Sequence, residues 1–127
     1  MKVAMVTGGR DYKPTAKDKE DFLSVIDTNS IAVLIHGGCR GVDQWAAGLA
    51  AENGLWVVCV PAPWKRHGKA AGPKRNVFMA RLAGVLSGVD HDLLCIALPG
   101  GAGTRNAVAS AESRGSWTVA IGSKEVS

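Results

Sequence analysis

Apolar positions along the chain form short continuous runs, separated by longer stretches in which apolar and polar residues alternate at helical spacing. The continuous runs predict five buried strands, at Lys2–Thr7, Ile31–His36, Leu55–Val60, Leu93–Leu98 and Trp117–Ile121. The helical spacing predicts four helices, at Lys13–Asp27, Val42–Asn53, Pro73–Leu86 and Gly103–Arg114. The composition of Pro61–Gly72, rich in Pro, Gly and Ala, predicts a loop.

Strands and helices therefore alternate along the whole chain. Continuous apolar strands are typical of parallel sheets that helices cover on both faces. We expect the α/β class, with a single Rossmann-like doubly wound domain over residues 1–127 and a mostly parallel sheet of about five strands flanked by helices. A chain of 127 residues is long enough for one such domain and too short for two.

No stretch of the sequence has the pattern of a membrane span or a leader. The longest nearly apolar run, Leu55–Trp64, contains two prolines and is shorter than the ~20 residues that a spanning helix needs. The first residues open directly into strand-like sequence, without a signal-peptide pattern. We expect no membrane partner.

The three cysteines, Cys39, Cys59 and Cys95, form no CxxC pair. This odd count argues against a disulfide framework and a structural zinc site, and favours a reducing cytoplasm. No His, Asp or Glu set has ligand spacing, so the sequence predicts neither a metal site nor a cofactor. A magnesium ion carried by a bound phosphate stays compatible with it.

Charge is distributed unevenly around a formal net charge of +4. No acidic residue lies between Glu52 and Asp90, whereas the same stretch is basic. Its cations are Lys65, Arg66, Lys69, Lys74, Arg75 and Arg81. Such a patch favours a phosphorylated partner, small or polymeric, although a solvated basic loop gives the same pattern.

Glycine pairs follow three of the predicted strands. In an open parallel sheet, ligands bind beyond the carboxyl ends of the strands, where glycine lets the backbone approach a ligand and the next helix presents free N–H groups. The clearest segment is Pro99–Thr104, which is neither a Walker A loop nor a complete dinucleotide fingerprint. We expect phosphate contacts from the turn residues Gly8, Gly9, Gly37, Gly38, Gly100, Gly101, Gly103 and Thr104.

Side chains near these turns complete the predicted site. We expect phosphate contacts from Arg10, Arg40, Lys69, Arg75 and Asn76, since a guanidinium binds phosphate in a bidentate manner. Trp64, at the front of the basic segment, is the candidate for stacking on a base. An exposed loop arginine, or a tryptophan that caps the core, would explain the same residues without a ligand.

Four motifs, in order along the chain, carry a resemblance to a known group. They are Val6–Tyr12, His36–Asp43, Trp64–Asn76 and Pro99–Thr104. With them the chain resembles the SLOG superfamily, a Rossmann-like group that includes the Lonely-guy phosphoribohydrolases and the DprA DNA-processing proteins. It is most similar to the small YspA/YpsA-related family of bacteria and phages. The resemblance implies a pocket for a nucleotide or a nucleotide-derived molecule at the carboxyl edge of the sheet.

The chain departs from the phosphoribohydrolase branch at one residue. That branch has the motif PGGxGTxxE and an upstream arginine, which Arg75 matches, but Ala107 stands where the glutamate belongs. Cleavage of a glycosidic bond needs a carboxylate at the reacting centre. Asp43 is the best substitute and, with Arg75, the candidate catalytic pair; Asp11 is a second candidate. Helix capping, or a favourable charge in the first turn of a helix, would also explain Asp43, and turn formation would explain Asp11.

Three functions follow from these observations. The first is a binding or sensor module for a phosphorylated, nucleotide-derived ligand. The second is a nucleotide or nucleotide-sugar hydrolase with a non-standard acid or base. The third is DprA-like binding of single-stranded nucleic acid, although the aromatic residues are few. The relatives that the chain resembles often pair through helices, so we also expect a homodimer.

Overall fold

The sheet of the computed structural model, which describes residues 1–88 and 93–122, is entirely parallel. Its strands are β1 (Val3–Thr7), β2 (Val33–His36), β3 (Trp56–Cys59), β4 (Leu93–Ala97) and β5 (Trp117–Ala120). They lie in the order β3-β2-β1-β4-β5. Strands β2 and β3 extend the sheet on one side of β1, and β4 and β5 extend it on the other side. The crevice between β1 and β4 is therefore the position at which such sheets bind ligands.

Helices cover both faces of this sheet. The helices are α1 (Ala16–Thr28), α2 (Val42–Glu52), α3 (Trp64–His67), α4 (Ala71–Ser87) and α5 (Ala102–Glu112). Ala4 and Val6 of β1 pack in the cluster that α1 and α2 cover, whereas Val3 and Met5 pack in the cluster that α4 and α5 cover. This central strand is buried on both faces, as its continuous apolar sequence predicts. The α/β Rossmann-like prediction is confirmed.

The prediction of a loop over Pro61–Gly72 is wrong. The segment contains α3, a 3₁₀ turn at Gly68–Ala70 and the first residues of α4. Helix α4 begins at Ala71, so Pro73 is its third residue. Proline is tolerated there because the first N–H groups of a helix have no partner within the helix. Proline therefore marks the first turn of this helix rather than its first residue.

The outer strands are less buried than their apolar sequences predict. Trp56 of β3 and Trp117 of β5 have exposed fractions of 76% and 77%, because an edge strand has no neighbour on one side. Cys59 of the edge strand β3 is exposed, whereas Cys95 of the inner strand β4 is buried. Trp45 packs against the core, with its ring 5.2 Å from that of Phe22. Over the described ranges, no helix is long and apolar enough to cross a bilayer.

Candidate functional site

A cleft of about 610 Å³ lies at the carboxyl ends of β1, β2 and β4. Strand register explains its position, since Thr7 at the end of β1 pairs with Ala97 at the end of β4. The turns after these strands therefore leave the sheet side by side. The predicted site residues that line the cleft are Gly8, Gly9, Arg10, Asp11, Gly37, Asp43, Arg75, Asn76, Gly100, Gly101, Gly103 and Thr104. Gly38, Arg40, Trp64 and Lys69 are not part of this lining.

Glycine allows the turn after β1 to contact the turn after β4 directly. The Gly9 N–H donates to the Pro99 carbonyl at 2.8 Å. A Cβ atom placed on Gly100 would lie 2.8 Å from the Gly9 nitrogen and closer still to the Thr104 hydroxyl. A residue with a side chain at position 100 would push the two turns apart. Gly-Gly after each strand thus predicts a real contact, which closes one end of the cleft.

The N-terminus of α5 presents its backbone donors without a cap of its own. Its N-cap residue is Gly101, and no side chain of the described residues caps it. By contrast, α1 has a complete capping box in which Thr15 and Asp18 satisfy each other's backbone N–H groups. The first N–H groups of a helix carry its positive dipole end and favour an anion. With the Thr104 hydroxyl in the same turn, this end of the cleft suits a phosphate.

Arg75 and Asn76 connect the turns from the opposite wall. Arg75 Nη1 donates to the Gly37 carbonyl at 2.6 Å, and its Nε donates to Asn76 Oδ1 at 2.9 Å. The Asn76 amide nitrogen in turn donates to Asn106 Oδ1 at 2.9 Å and to the Gly103 carbonyl at 3.4 Å. Both residues lie in the second turn of α4 rather than at its start. Arg75 therefore offers a side-chain cation here, and the free N–H groups at the start of α4 lie one turn earlier in the chain.

Asp43 supports the turn after β2. Its carboxylate is buried, and Oδ2 accepts the Gly37 N–H at 2.9 Å and the Cys39 N–H at 3.3 Å. Burial raises the pKa of Asp43 above its ordinary value of 3.8, against the opposing effects of these two amides, His36 and Arg75. Asp43 lies in the first turn of α2, but its hydrogen bonds go to the turn before the helix, so the structure shows no helix cap from this side chain. Its catalytic role stays a prediction.

Replacing Asp43 tests this supporting role. Because the folded carboxyl has the higher pKa, its contribution to stability is complete below the unfolded pKa and is lost as the pH rises through the folded pKa. Asp43→Asn keeps an acceptor but does not titrate, so its stability relative to the wild type should improve as the pH rises above about 3.8. Asp43→Ala leaves both amides unpaired and should cost about 1–3 kcal/mol more than Asp43→Asn.

Urea unfolding of the three proteins across acidic and neutral pH measures both effects. Burial lowers the pKa of His36 and the neighbouring Asp43 charge raises it, so the two groups titrate as a coupled pair and the difference between proteins includes the altered titration of His36. Parallel stability profiles for the wild type and Asp43→Asn would contradict the assignment.

Other predicted residues form pairs around the rim. The Arg10 guanidinium lies 5.6 Å from the centre of the Trp64 ring, and Arg40 forms an exposed ion pair with Asp11 at 2.9 Å. Lys69 is exposed on the 3₁₀ turn. The basic segment is thus ordered into helical turns beside the cleft, with Trp64 stacked on Arg10.

The structure also places the residues that bear on hydrolysis. Ala107 is buried, with an exposed fraction of 2%. Glu112 accepts a hydrogen bond from the Thr118 hydroxyl at 3.0 Å and is not among the residues that line the cleft. Within the described ranges, no three His, Cys, Asp or Glu residues cluster in a way that would hold a metal ion.

Tyr12 and Met79 are among the lining residues that are absent from the sequence-based site. Tyr12 ends the first family motif, and its hydroxyl donates to Asp18 at the start of α1. Met79 lies one helical turn beyond Arg75 and Asn76. Residues three or four positions apart lie on the same face of a helix, so the spacing from Arg75 and Asn76 could have predicted Met79 as a lining residue.

Comparison with known proteins identifies the family and the fold. Residues 1–67 match the family described as "YspA, cpYpsA-related SLOG family". The chain is 30% identical to the Gene 61 protein of Mycobacterium phage D29, over 98% of this chain and 99% of that protein. Among solved structures it resembles DNA processing protein A (DprA) from Streptococcus pneumoniae, with a TM-score of 0.64 and 21% identity over 98% of this chain. The chain spans about half of that DprA chain, at 51%, and this likeness concerns the fold. The chain belongs to the YspA, cpYpsA-related SLOG family.

Proposed function

We propose that this protein binds a phosphorylated, nucleotide-derived small molecule in the cleft and works as a binding or sensor module. The observation that carries the proposal is the uncapped N-terminus of α5, in the same cleft as the Thr104 hydroxyl and the Arg75 guanidinium. Backbone donors, a hydroxyl and a cation together satisfy the oxygens of a phosphate group.

The charged groups of the lining favour an anion. Its two carboxylates are already engaged, since Asp11 pairs with Arg40 and Asp43 accepts two backbone N–H groups. The guanidinium groups of Arg10 and Arg75 lie beside the cleft without a carboxylate partner among the described residues. An entering phosphate therefore meets uncompensated positive charge.

The size and lining of the cleft support a ligand larger than phosphate. Its volume of about 610 Å³ falls in the range of small-molecule sites, roughly 300–1,000 Å³. The partly buried Tyr12 adds aromatic surface beside the phosphate-binding groups. Membership of the SLOG family and the fold shared with a DNA processing protein favour a nucleotide over other phosphorylated molecules.

Binding without turnover is favoured by the carboxylates of the site. Ala107 offers no acid or base where the related hydrolases have glutamate, and Oδ2 of Asp43 is held by the turn after β2. Hydrolysis needs a carboxylate in reach of the reacting atom. A sensor needs only the phosphate-binding groups.

Gly103→Ala tests the phosphate-binding end of α5 without disturbing the fold. A Cβ atom at Gly103 meets nothing within 4 Å, and alanine in a helix is more stable than glycine by up to about 1 kcal/mol. Gly103 lies in the first turn of α5 and lines the cleft, so a methyl group there takes up space beside the proposed phosphate position, and we expect the Kd for nucleoside monophosphates to rise by about tenfold or more. Calorimetric titration measures the Kd, and thermal unfolding measures the stability.

Gly48→Ala is the matched control. Gly48 lies within α2, away from the cleft lining, and its Cβ would also meet nothing within 4 Å. It should stabilise the fold by a similar amount and leave the Kd unchanged. Equal binding by both variants would contradict the proposed phosphate position.

Native mass spectrometry with nucleoside monophosphates and nucleotide-sugars separates the three candidate functions. An adduct with the mass of the intact ligand supports the sensor, and release of the free base supports the hydrolase. Binding of a single-stranded oligonucleotide alone, weakening steeply with salt, would favour the nucleic-acid function.

A further inference from the structure

A second pocket of about 340 Å³ shares Arg75 with the main cleft. His36 at the end of β2 pairs with Cys59 at the end of β3, so Gly37 and Val60 leave the sheet side by side. Arg75 Nη1 donates to both of their carbonyls, at 2.6 Å and 3.5 Å. Gly37 lines the main cleft and Val60 lines the second pocket. One guanidinium therefore forms a wall of both spaces.

Rigid apolar groups form one side of the second pocket. Pro61 and Pro63 follow β3, and Phe78 lies one helical turn beyond Arg75 on α4. The Phe78 side chain has an exposed fraction of 57%, although a phenyl ring gains free energy by leaving water. Flat proline and phenyl surfaces favour a planar ligand group, which stacks on an aromatic face.

Basic groups form the remaining side. Lys74 Nζ lies 3.3 Å from His67 Nδ1 at this pocket, and Arg75 completes the set. No acidic residue of the described chain lines the pocket. The donors suit the carbonyl and ring-nitrogen acceptors at the edge of a heterocyclic base.

We propose that this second pocket is the subsite for the heterocyclic base of the ligand. The proposal rests on the proposed function, in which the phosphate of the same ligand lies at the N-terminus of α5. Arg75 then lies between the two ends of the ligand and contacts both subsites.

This assignment moves the stacking role from Trp64 to Phe78. The Trp64 ring already packs against Arg10, at 5.6 Å, and against Gly72, whose Cβ position is 3.3 Å from the ring. Trp64 lines neither of the two pockets. Phe78 lines the second pocket and is exposed there.

The test compares ligands that differ only by the base. Calorimetric titration gives the Kd of the wild type, Phe78→Ala and Val85→Ala for the four ribonucleoside 5′-monophosphates and for ribose 5-phosphate. Phe78→Ala should weaken at least one nucleoside monophosphate by about tenfold, the usual scale for loss of base stacking, and leave ribose 5-phosphate unchanged. Val85 is exposed on the same helix, outside the second pocket. Val85→Ala should therefore leave the Kd unchanged for the nucleoside monophosphates and for ribose 5-phosphate. Phe78→Trp should restore most of the affinity.

The outcomes separate the subsite from the proposed function. Equal weakening of ribose 5-phosphate and the nucleotides by Phe78→Ala, or no weakening at all, overturns the base subsite while phosphate binding stands. If wild-type protein binds none of the five probes, the proposed function fails and the subsite fails with it.

Discussion

Gly41→Ala is expected to destabilise the protein more than the same change at Gly68, although both glycines have similar backbone angles. Gly41 has φ 80° and ψ −125°, and Gly68 has φ 55° and ψ −132°. Alanine is strained in this region of backbone conformation by about 1–3 kcal/mol. Both variants should lose this amount of unfolding free energy.

The two positions differ in their surroundings. A Cβ atom at Gly41 would lie 2.7 Å from the Gly9 carbonyl oxygen and closer still to that of Arg10, whereas a Cβ atom at Gly68 meets nothing within 4 Å. Backbone cannot move aside as a side chain does, so Gly41→Ala should lose about 1–3 kcal/mol beyond the strain. It should also weaken nucleotide binding, because the turn after β1 must shift.

Urea unfolding of both variants measures the difference, with the slope against urea concentration as the check for unchanged surface exposure. Equal losses for Gly41→Ala and Gly68→Ala would mean that the turns after β1 and β2 do not approach each other as closely as the structure shows.

The positions of the glycine turns could be predicted from the sequence because they depend on local pattern. Continuous apolar runs identify parallel strands, and in a parallel sheet the residues after each strand must meet at one edge. Gly8, Gly37 and Gly100 could therefore be assigned to one cleft without any knowledge of side-chain contacts. The order of the strands in the sheet, which the structure provides, shows which of these turns are neighbours.

The partners of the charged side chains could not be predicted in this way. Arg40 pairs with Asp11, 29 positions earlier in the chain, and Arg10 stacks on Trp64. Each pair joins two turns whose separation depends on the folded backbone, and exposed ion pairs gain too little free energy to leave a sequence signal. Sequence pattern identified the residue types of the site and left their contacts open.

The helical character of Pro61–Gly72 was missed for a different reason. Pro63 precedes α3 and Gly68 ends it, so the residues that suggest a loop lie at the ends of very short helices. Helix signals average over several turns, and a four-residue helix is too short to show one. This segment brings His67 and the start of α4 to the pocket beside Arg75.

Arg75 is expected to be the side chain whose loss most reduces ligand binding. Nη1 and Nε are engaged with Gly37, Val60 and Asn76, and Nη2 approaches only the Cys39 sulfur, at 3.9 Å, among the described residues. A thiol is a weak acceptor, so Nη2 is the donor left for a phosphate. The other nitrogens hold the guanidinium in place, so little conformational entropy is lost when the ligand binds.

Arg75→Ala should raise the Kd for nucleoside monophosphates by about 10- to 150-fold, the equivalent of a lost charge-assisted hydrogen bond of about 1.5–3 kcal/mol. It should also lower the free energy of unfolding, because the Gly37 carbonyl loses its donor. Arg75→Lys restores the charge but not the planar fork that reaches several acceptors at once, so its affinity should lie between those of Arg75→Ala and the wild type.

Two measurements on the same proteins distinguish a role of Arg75 in ligand binding from a role in stabilising the turns. Calorimetric titration gives the Kd, and urea unfolding gives the stability of the wild type, Arg75→Lys and Arg75→Ala. Asn106→Ala serves as the comparison, since Asn106 accepts from Asn76 at the same wall without lining the cleft; it should lower stability with little change in Kd. If Arg75→Ala behaves like Asn106→Ala, with stability lost and affinity kept, Arg75 only supports the turns and the phosphate is held by α5 alone.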